Sequence, residues 1–276
     1  QNPFFRLDSG GSGLIGLIGN ANLNPEQTIN GEIGVKQQLS STTALELTGF
    51  FRDIRDLAGT ATDPISVDGT SARYGVLVNS DFGLVRGVVL RLDQRIGRSF
   101  FMNADYTFQV AQTNASDPDQ VYNAAAAKEE LERQLVPTNW DQRHTANISL
   151  SYGGSGWGFS SIATYGSGQP YTPEQTTLQT GTILPTTIPL NSEIKPTIFK
   201  VDLSAYKDFN LGSTTLQIFG RIDNLLDNAN EVGVFNDTGR ATYSLQRNVD
   251  EQTFRGDIGY LNRWYSREDF YNEPRR

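Results

Sequence analysis

Apolar and polar residues alternate with period two along most of the chain. This is the pattern of strands that show one face to an apolar environment and the other to water. Between residues 44 and 52, Leu45, Leu47 and Phe51 share one parity with Gly49 between them, while Glu46, Thr48 and Arg52 take the other. The same split sets Met102, Ala104, Tyr106, Phe108 and Val110 against Asn103, Asp105, Thr107 and Gln109. It returns for Ala146, Ile148, Leu150 and Tyr152, for Val201, Leu203 and Ala205, and for Leu216, Ile218 and Ile222. Weaker alternation covers 29–39, 88–92 and 157–165. About eight strands are therefore predicted, each near the ~9–11 residues that a tilted membrane crossing requires. Ordinary globular strands have a mode of about 5–6.

The connections alternate as well. Short polar turns fall at Ser40-Ser41-Thr42, Gly97-Arg98-Ser99, Gly153-Gly154-Ser155-Gly156 and Leu211-Gly212-Ser213. Between them lie long stretches at 58–72, 114–141 and 169–196, and everything after Asp227. Short turns at one end and long loops at the other characterise outer-membrane barrels, whereas compact soluble domains rarely carry loops of this length. One long loop holds a run of strong helix formers from Ala124 to Leu135, closed by Pro137, which is expected to be a solvated loop helix.

Composition changes this picture only at its edges. A hydrophobic content of 37% and a mean hydropathy of −0.42 would suit a soluble protein. No apolar run reaches the ~20 residues of a membrane helix, but barrel strands average out as polar because half their residues face a lumen. A net charge of −8 speaks against nucleic acid, which needs clustered cations. The absence of cysteine removes disulfides, thiolate nucleophiles and cysteine metal sites. Gln1-Asn2-Pro3-Phe4-Phe5 shows no basic segment followed by an apolar core, so no signal peptide is expected in this stretch. On the apolar parity charges are rare. Gln37 and Lys207 occupy it just before short turns, at the expected periplasmic boundary, and Arg86 is placed at the outer rim. Trp157 beside a short turn, with Tyr165 and Phe108 towards long loops, suits two aromatic girdles.

Several segments resemble the C-terminal barrel half of TonB-dependent receptors. Gly19-Asn20-Ala21-Asn22-Leu23-Asn24-Pro25-Glu26 is similar to the family's "GNPxLxPE" loop, and Phe50 to Leu57 to its "YxxDIxDL" strand end. Trp140-Asp141-Gln142-Arg143-His144-Thr145-Ala146-Asn147 resembles "WDQRHxxN", and Ser167-Gly168-Gln169-Pro170-Tyr171-Thr172-Pro173 resembles "SGxPYTP". Val201-Asp202-Leu203 looks like "VDL", and Ile222-Asp223-Asn224-Leu225-Leu226-Asp227 looks like "VxNLFD". Six such segments occur in the family's order and in register with the strands. The resemblance implies that residues 1–276 are part of one barrel domain of ~22 strands, with the plug domain and the aromatic-ended final strand outside this stretch. It implies structural roles for Asn24, Pro25, Glu26, Trp140, Asp141, Arg143, His144, Asp223, Asn224, Leu225 and Asp227. It also implies outer-membrane lipid, the TonB complex (acting on the plug), a nutrient ligand and, in some members, a surface lipoprotein as partners.

Asp8-Ser9-Gly10-Gly11 looks superficially like a protease nucleophile loop, but the only histidine, His144, follows it and lies in the strand-entry motif. No Gly-x-Ser-x-Gly elbow surrounds Ser155 or Ser167. One histidine and no cysteine make a zinc site improbable, and no cofactor is expected. Asp117-Pro118-Asp119 reads as solvated loop acids, since no calcium-loop pattern surrounds it. His144 is expected to hydrogen-bond at the rim beside an Asp141–Arg143 pair. Tyr260, Trp264 and Tyr265, with Phe270 and Tyr271, are ligand-stacking candidates, set against simple packing of the final loop.

The expected fold is all-β, an antiparallel up-and-down transmembrane barrel in part, without enzymatic activity. Two alternatives remain open at this point. One is a small closed barrel of about eight strands with a structural or adhesive role. The other is a secreted soluble β-protein, such as a carbohydrate-active enzyme with loop carboxylates.

Overall fold

A computed structural model describes residues 14–61, 65–66, 73–114, 135–174, 188–242 and 244. In chain order the strands begin with β1 (Leu14–Ile18), β2 (Gln27–Ser40), β3 (Thr43–Thr60), β4 (Ile65–Ser66) and β5 (Arg73–Ile96). They continue with β6 (Phe100–Thr113), β7 (Val136–Pro137), β8 (His144–Gly154) and β9 (Trp157–Gly166). The last are β10 (Pro170–Tyr171), β11 (Glu193–Ile194), β12 (Ile198–Leu211) and β13 (Thr214–Ile222). No helix occurs among the described residues; the expected loop helix at 124–135 lies outside them except for Leu135.

All eight expected strands are present, as β2, β3, β5, β6, β8, β9, β12 and β13. The main sheet has the order β13-β12-β9-β8-β6-β5-β3-β2, so each long strand pairs with its neighbour in sequence. That is an up-and-down arrangement. A complete eight-stranded barrel would also pair β13 with β2, and no such pairing occurs among the described residues.

Three differences from the sequence expectation have physical causes. First, β3 and β5 reach 18 and 24 residues, longer than a single tilted crossing, and β5 continues past Arg86. Second, the stretch 169–196 is not wholly irregular, because β10 pairs antiparallel with β11 through Pro170↔Ile194 and Tyr171↔Glu193. Third, β1 pairs with β5 in parallel, an exception in a sheet otherwise built of antiparallel neighbours. The β5 edge is available there because β6 leaves it at Phe82, where the amide of Asn114 donates to the Phe82 carbonyl at 3.2 Å.

The chain divides into two compact units, and β2, β3, β5 and β6 each contribute segments to both. The first comprises 1–32, 50–86 and 110–139. Its interior includes Thr60, Leu77, Asp81, Val85, Ala111, Thr113 and Thr138, all buried. A strand segment covered by protein no longer needs to alternate polar with apolar residues, which explains why hydropathy under-read β3 and β5 here. Asp81 and Asn114 satisfy each other at 3.1 Å, and the Thr113 hydroxyl donates to the Phe82 carbonyl at 2.8 Å.

The second unit comprises 33–49, 87–109 and 140–276. Its register fixes which side chains share a face. One row runs Met102↔Leu150↔Ser161↔Leu203↔Ile222 across five strands, and a parallel row runs Ala104↔Ile148↔Ala163↔Val201. The rows on the other face are Asn103↔Ser149↔Ile162↔Asp202 and Asp105↔Asn147↔Thr164↔Lys200. Parity assigned strand by strand thus assembles into one apolar face and one polar face. Tight hairpins hold the short-turn end, where Gly156 and Gly212 take φ of +75° and +76°, a region that side chains with a Cβ rarely enter.

Candidate functional site

The Trp140–His144 segment lies beside β6, β8 and β9 at their long-loop end. Asp141 is fully buried and accepts a 2.6 Å bond from Arg143 Nε. The Arg143 carbonyl accepts the Gln109 amide at 3.0 Å, which ties this segment to the end of β6. His144 begins β8, with Phe108 as its register partner. Its Nδ1 lies 2.7 Å from the Tyr106 hydroxyl, and its ring centroid is 5.3 Å from that of Phe108. Ser167 closes the other side: its hydroxyl accepts the His144 amide at 3.0 Å, and its own amide donates to the His144 carbonyl at 2.8 Å. Gln142 Nε2 donates to the Ser167 carbonyl at 2.9 Å. Trp140 remains exposed at the edge.

A second knot forms where β13 ends. Asn224 is 1% exposed and has φ of +53°. Its amide donates to Asp202 Oδ1 at 2.8 Å, its Nδ2 donates to the Asn228 carbonyl at 3.0 Å, and its Oδ1 accepts the Asn228 amide at 3.2 Å. The Leu225 amide donates to the Val201 carbonyl at 2.6 Å, and the Asp227 amide to the Asn224 carbonyl at 2.8 Å. Asp223 accepts from Arg221 Nε at 2.9 Å. One asparagine side chain therefore replaces the ladder partners that the chain loses as it turns away from β12.

Polar pairs run along the polar face between these ends. Glu46 meets Lys36 at 3.4 Å and Arg91 at 3.8 Å. Asn147 donates to Asp105 at 3.0 Å, Gln217 to Asp208 at 2.9 Å, and Lys200 pairs with Asp202 at 3.2 Å. Phe101, Ile162 and Phe219 interrupt this polarity, and the Arg95 guanidinium covers the Phe101 ring at 5.3 Å. Among the described residues this arrangement makes a hydrophilic wall without a nucleophile–base pair. Among the described residues no group of His, Cys, Asp and Glu could hold a metal ion.

Residues 2–225 match the family model described as TonB dependent receptor-like, beta-barrel. The chain belongs to this family. No curated protein matches it in sequence. Among solved structures it is similar to a mutant ferric enterobactin receptor from Pseudomonas aeruginosa, with a TM-score of 0.55 at 15% identity, covering 94% of this chain and 31% of that one. The outer membrane transporter YddB from Escherichia coli gives a TM-score of 0.54 at 13% identity, over 79% and 31%. The ferripyoverdine-bound receptor from the outer membrane of Pseudomonas aeruginosa gives 0.50 at 15%, over 76% and 24%. The chain spans about a third or less of the length of these receptors, and the likeness to them is one of fold.

Of the positions marked by the family resemblance, Asn24 is held by Asn79. The Asn24 amide donates to Asn79 Oδ1 at 2.8 Å, and Asn79 Nδ2 donates back to the Asn24 carbonyl at 3.1 Å and to the Asp56 carbonyl at 2.6 Å. Pro25 and Glu26 are exposed. The motif-bearing residues are thus spread over three places. Tyr260, Trp264 and Tyr265 lie outside the described residues, as do Asp117-Pro118-Asp119.

Sequence reasoning missed the asparagines that brace the chain after β13. Asn230 accepts the Phe199 amide at 2.9 Å and returns Nδ2 to the Phe199 carbonyl at 3.0 Å, a side chain acting as a strand. It also missed Glu231, whose buried carboxylate takes three contacts of 2.6–3.1 Å from Arg240 and one of 2.6 Å from the Ala241 amide. Burial pushes the Glu231 carboxyl up, but the Arg240 and Ala241 bonds outweigh it and hold it below the usual range. Tyr171 is shifted upward by burial and by Glu193 and Asp237. The only clue in the sequence was the density of asparagine around 224–230.

Proposed function

We propose that this chain supplies part of the wall and part of the outer entrance of an outer-membrane receptor. That receptor binds a scarce nutrient at the cell surface and imports it with energy relayed by the TonB complex through the family's plug domain. The observation that carries the reading is the two-faced sheet. An apolar face continuous over five strands suits lipid, and the paired carboxylates, amides and cations behind it suit a wet lumen. Bound substrate passes a wall of fixed dipoles, and no bond is made or broken. The chain is a receptor segment and not an enzyme.

The dimensions support the same reading. From Ile96 back to Arg86 is ten residues, or ~33 Å of strand at ~3.3 Å per residue. A ~45° tilt reduces this to about 23 Å of height, close to the ~25 Å apolar band of such barrels. Arg86, exposed on the apolar parity, then sits at the outer boundary even though its strand continues beyond.

Siderophores are the favoured substrate class, because two of the similar structures are receptors for ferric enterobactin and ferripyoverdine. A vitamin, glycan or peptide would use the same wall. Lipid, the TonB complex and, for a glycan or peptide, a capping surface lipoprotein are the partners. Nucleic acid is not one. The test is to express the reading frame that carries this chain in an outer membrane. A band whose mobility shifts on heating, together with TonB-dependent uptake of a ferric siderophore, is the expected result. A protein that stays soluble without detergent would refute the proposal.

A further inference from the structure

Lys207 stands on the apolar face of β12, with Trp157 and Ile218 as its register partners. Its neighbours on that face along β12 are Ala205 and Phe209. It makes no ion pair or hydrogen bond among the described residues, and the adjacent Asp208 accepts from Gln217. An exposed cation without a protein partner at the edge of a lipid-directed face is free to meet an anion from outside the protein.

Two hydrogen-bond donors converge beside it. The Tyr152 and Trp157 rings lie 4.5 Å apart between centroids, with Phe159 5.9 Å from Tyr152. A methyl group placed on Gly154 would lie 3.0 Å from the Tyr152 hydroxyl oxygen and 3.2 Å from Trp157 Nε1. The Tyr152 ring edge is nearer still, with Cε1 2.9 Å from that methyl position, so both polar tips lie over Gly154 and a side chain there would displace them. Neither donor has a partner among the described residues. Gly154, Trp157 and Lys207 form a single row across β8, β9 and β12.

We propose that this row is a seat for the phosphodiester of a membrane phospholipid, held by Lys207, Trp157 and Tyr152 over Gly154. The chemistry is complementary: the Lys207 cation, the donor-only Trp157 N–H and the Tyr152 hydroxyl, which can donate, suit an anion with several oxygens. Phe159, Ala205 and Leu203, one and two rows further from the short turn, give the acyl chains an apolar track. The seat lies level with the 155–156 turn, which the barrel reading places in the periplasmic leaflet. The inference rests on that reading.

The test uses the full-length protein carrying this chain, purified as a folded barrel in detergent and titrated with dioleoylphosphatidylglycerol under native mass spectrometry. Dioleoylglycerol and inorganic phosphate are the control arms. Wild type is expected to retain phosphatidylglycerol, to ignore dioleoylglycerol, and to be unaffected by millimolar phosphate. Lys207→Gln should weaken retention roughly 5- to 10-fold, the loss of one cation at a lipid phosphate. Lys207→Arg should preserve it, while Trp157→Phe and Gly154→Ala should each lower it. Equal retention by Lys207→Gln, equal binding of dioleoylglycerol, or displacement by free phosphate would overturn the lipid seat alone. Failure to obtain a heat-modifiable barrel would overturn both this inference and the receptor reading.

Discussion

Asn224 offers the sharpest test of how the long-loop end is held. Its side chain makes two bonds to the Asn228 backbone, at 3.0 and 3.2 Å, inside a site where Asn224 is 1% exposed. Replacement by glycine keeps the left-handed backbone but strands both Asn228 groups, a loss of about 2–3 kcal/mol at ~1–1.5 kcal/mol per bond. Replacement by alanine adds the cost of a Cβ at φ of +53°, roughly 1–2 kcal/mol more. Hydrogen exchange in the folded receptor reads these values locally, because such openings are sub-global. The Leu225 amide on Val201 and the Phe199 amide on Asn230 should exchange ~30- to 150-fold faster in Asn224→Gly. In Asn224→Ala they should exchange about tenfold faster again, while amides in the β8–β9 ladder stay unchanged. Equal rates for the glycine and alanine variants would refute the backbone component. Wild-type rates in both would refute the knot.

Glu231 should confer a pH response on the loop that follows β13. Its folded carboxyl lies below its ordinary value, so its stabilisation is fully present above about pH 4.5 and is lost as pH falls through the folded value. Exchange of the Ala241 amide, corrected for intrinsic rate, should rise in that window and be flat in Glu231→Gln. Asp141→Ala leaves Arg143 without its buried partner and should cost about 2–3 kcal/mol, less than the ~3–5 kcal/mol of a fully buried pair because Arg143 is 37% exposed. The check is a lower midpoint of heat modification, with Asp141→Asn intermediate. Gly168→Ala would set a methyl group against the Lys195 carbonyl, so the β10–β11 pairing should open and the amides of 170–171 and 193–194 should exchange faster.

Much of the membrane-directed half was legible in the sequence because water and lipid impose period two on any strand placed between them. Leu150 and Asn147 declared their faces without structural help, and the register then aligned them with Leu203 and Asp105. Legibility stopped where protein covers the strand. Leu77, Asp81 and Val85 share one parity of β5 and are all buried, so the covered parity mixes a carboxylate with apolar residues and shows no clean alternation. The site motifs were recognisable as words but not as contacts. Nothing in the sequence indicated that His144 would meet Tyr106, or that Asn24 would be clasped by Asn79, 55 residues away.

The distribution of polar contacts follows from what each part of the strand borders. Along the ladder in lipid, backbone groups have no competing water, so neighbouring strands alone satisfy them and side chains are free to be Ala, Leu or Gly. Where strands leave the bilayer, that protection ends and the chain must turn, which orphans amides and carbonyls at strand ends. Asparagine solves this locally, since one side chain carries both a donor and an acceptor at a spacing that imitates a peptide group. Asn79 on Asn24, Asn224 on Asn228 and Asn230 on Phe199 each return a pair of bonds to one residue's backbone. Asn224 lies inside a short motif that marks the family resemblance, Asn230 lies three residues beyond it, and Asn79 clasps Asn24 inside another. The segments around Asn24 and Asn224 thus carry backbone contacts beside a strand end, before β2 and after β13. The loops beyond them can then differ in sequence without loosening the strands that carry them.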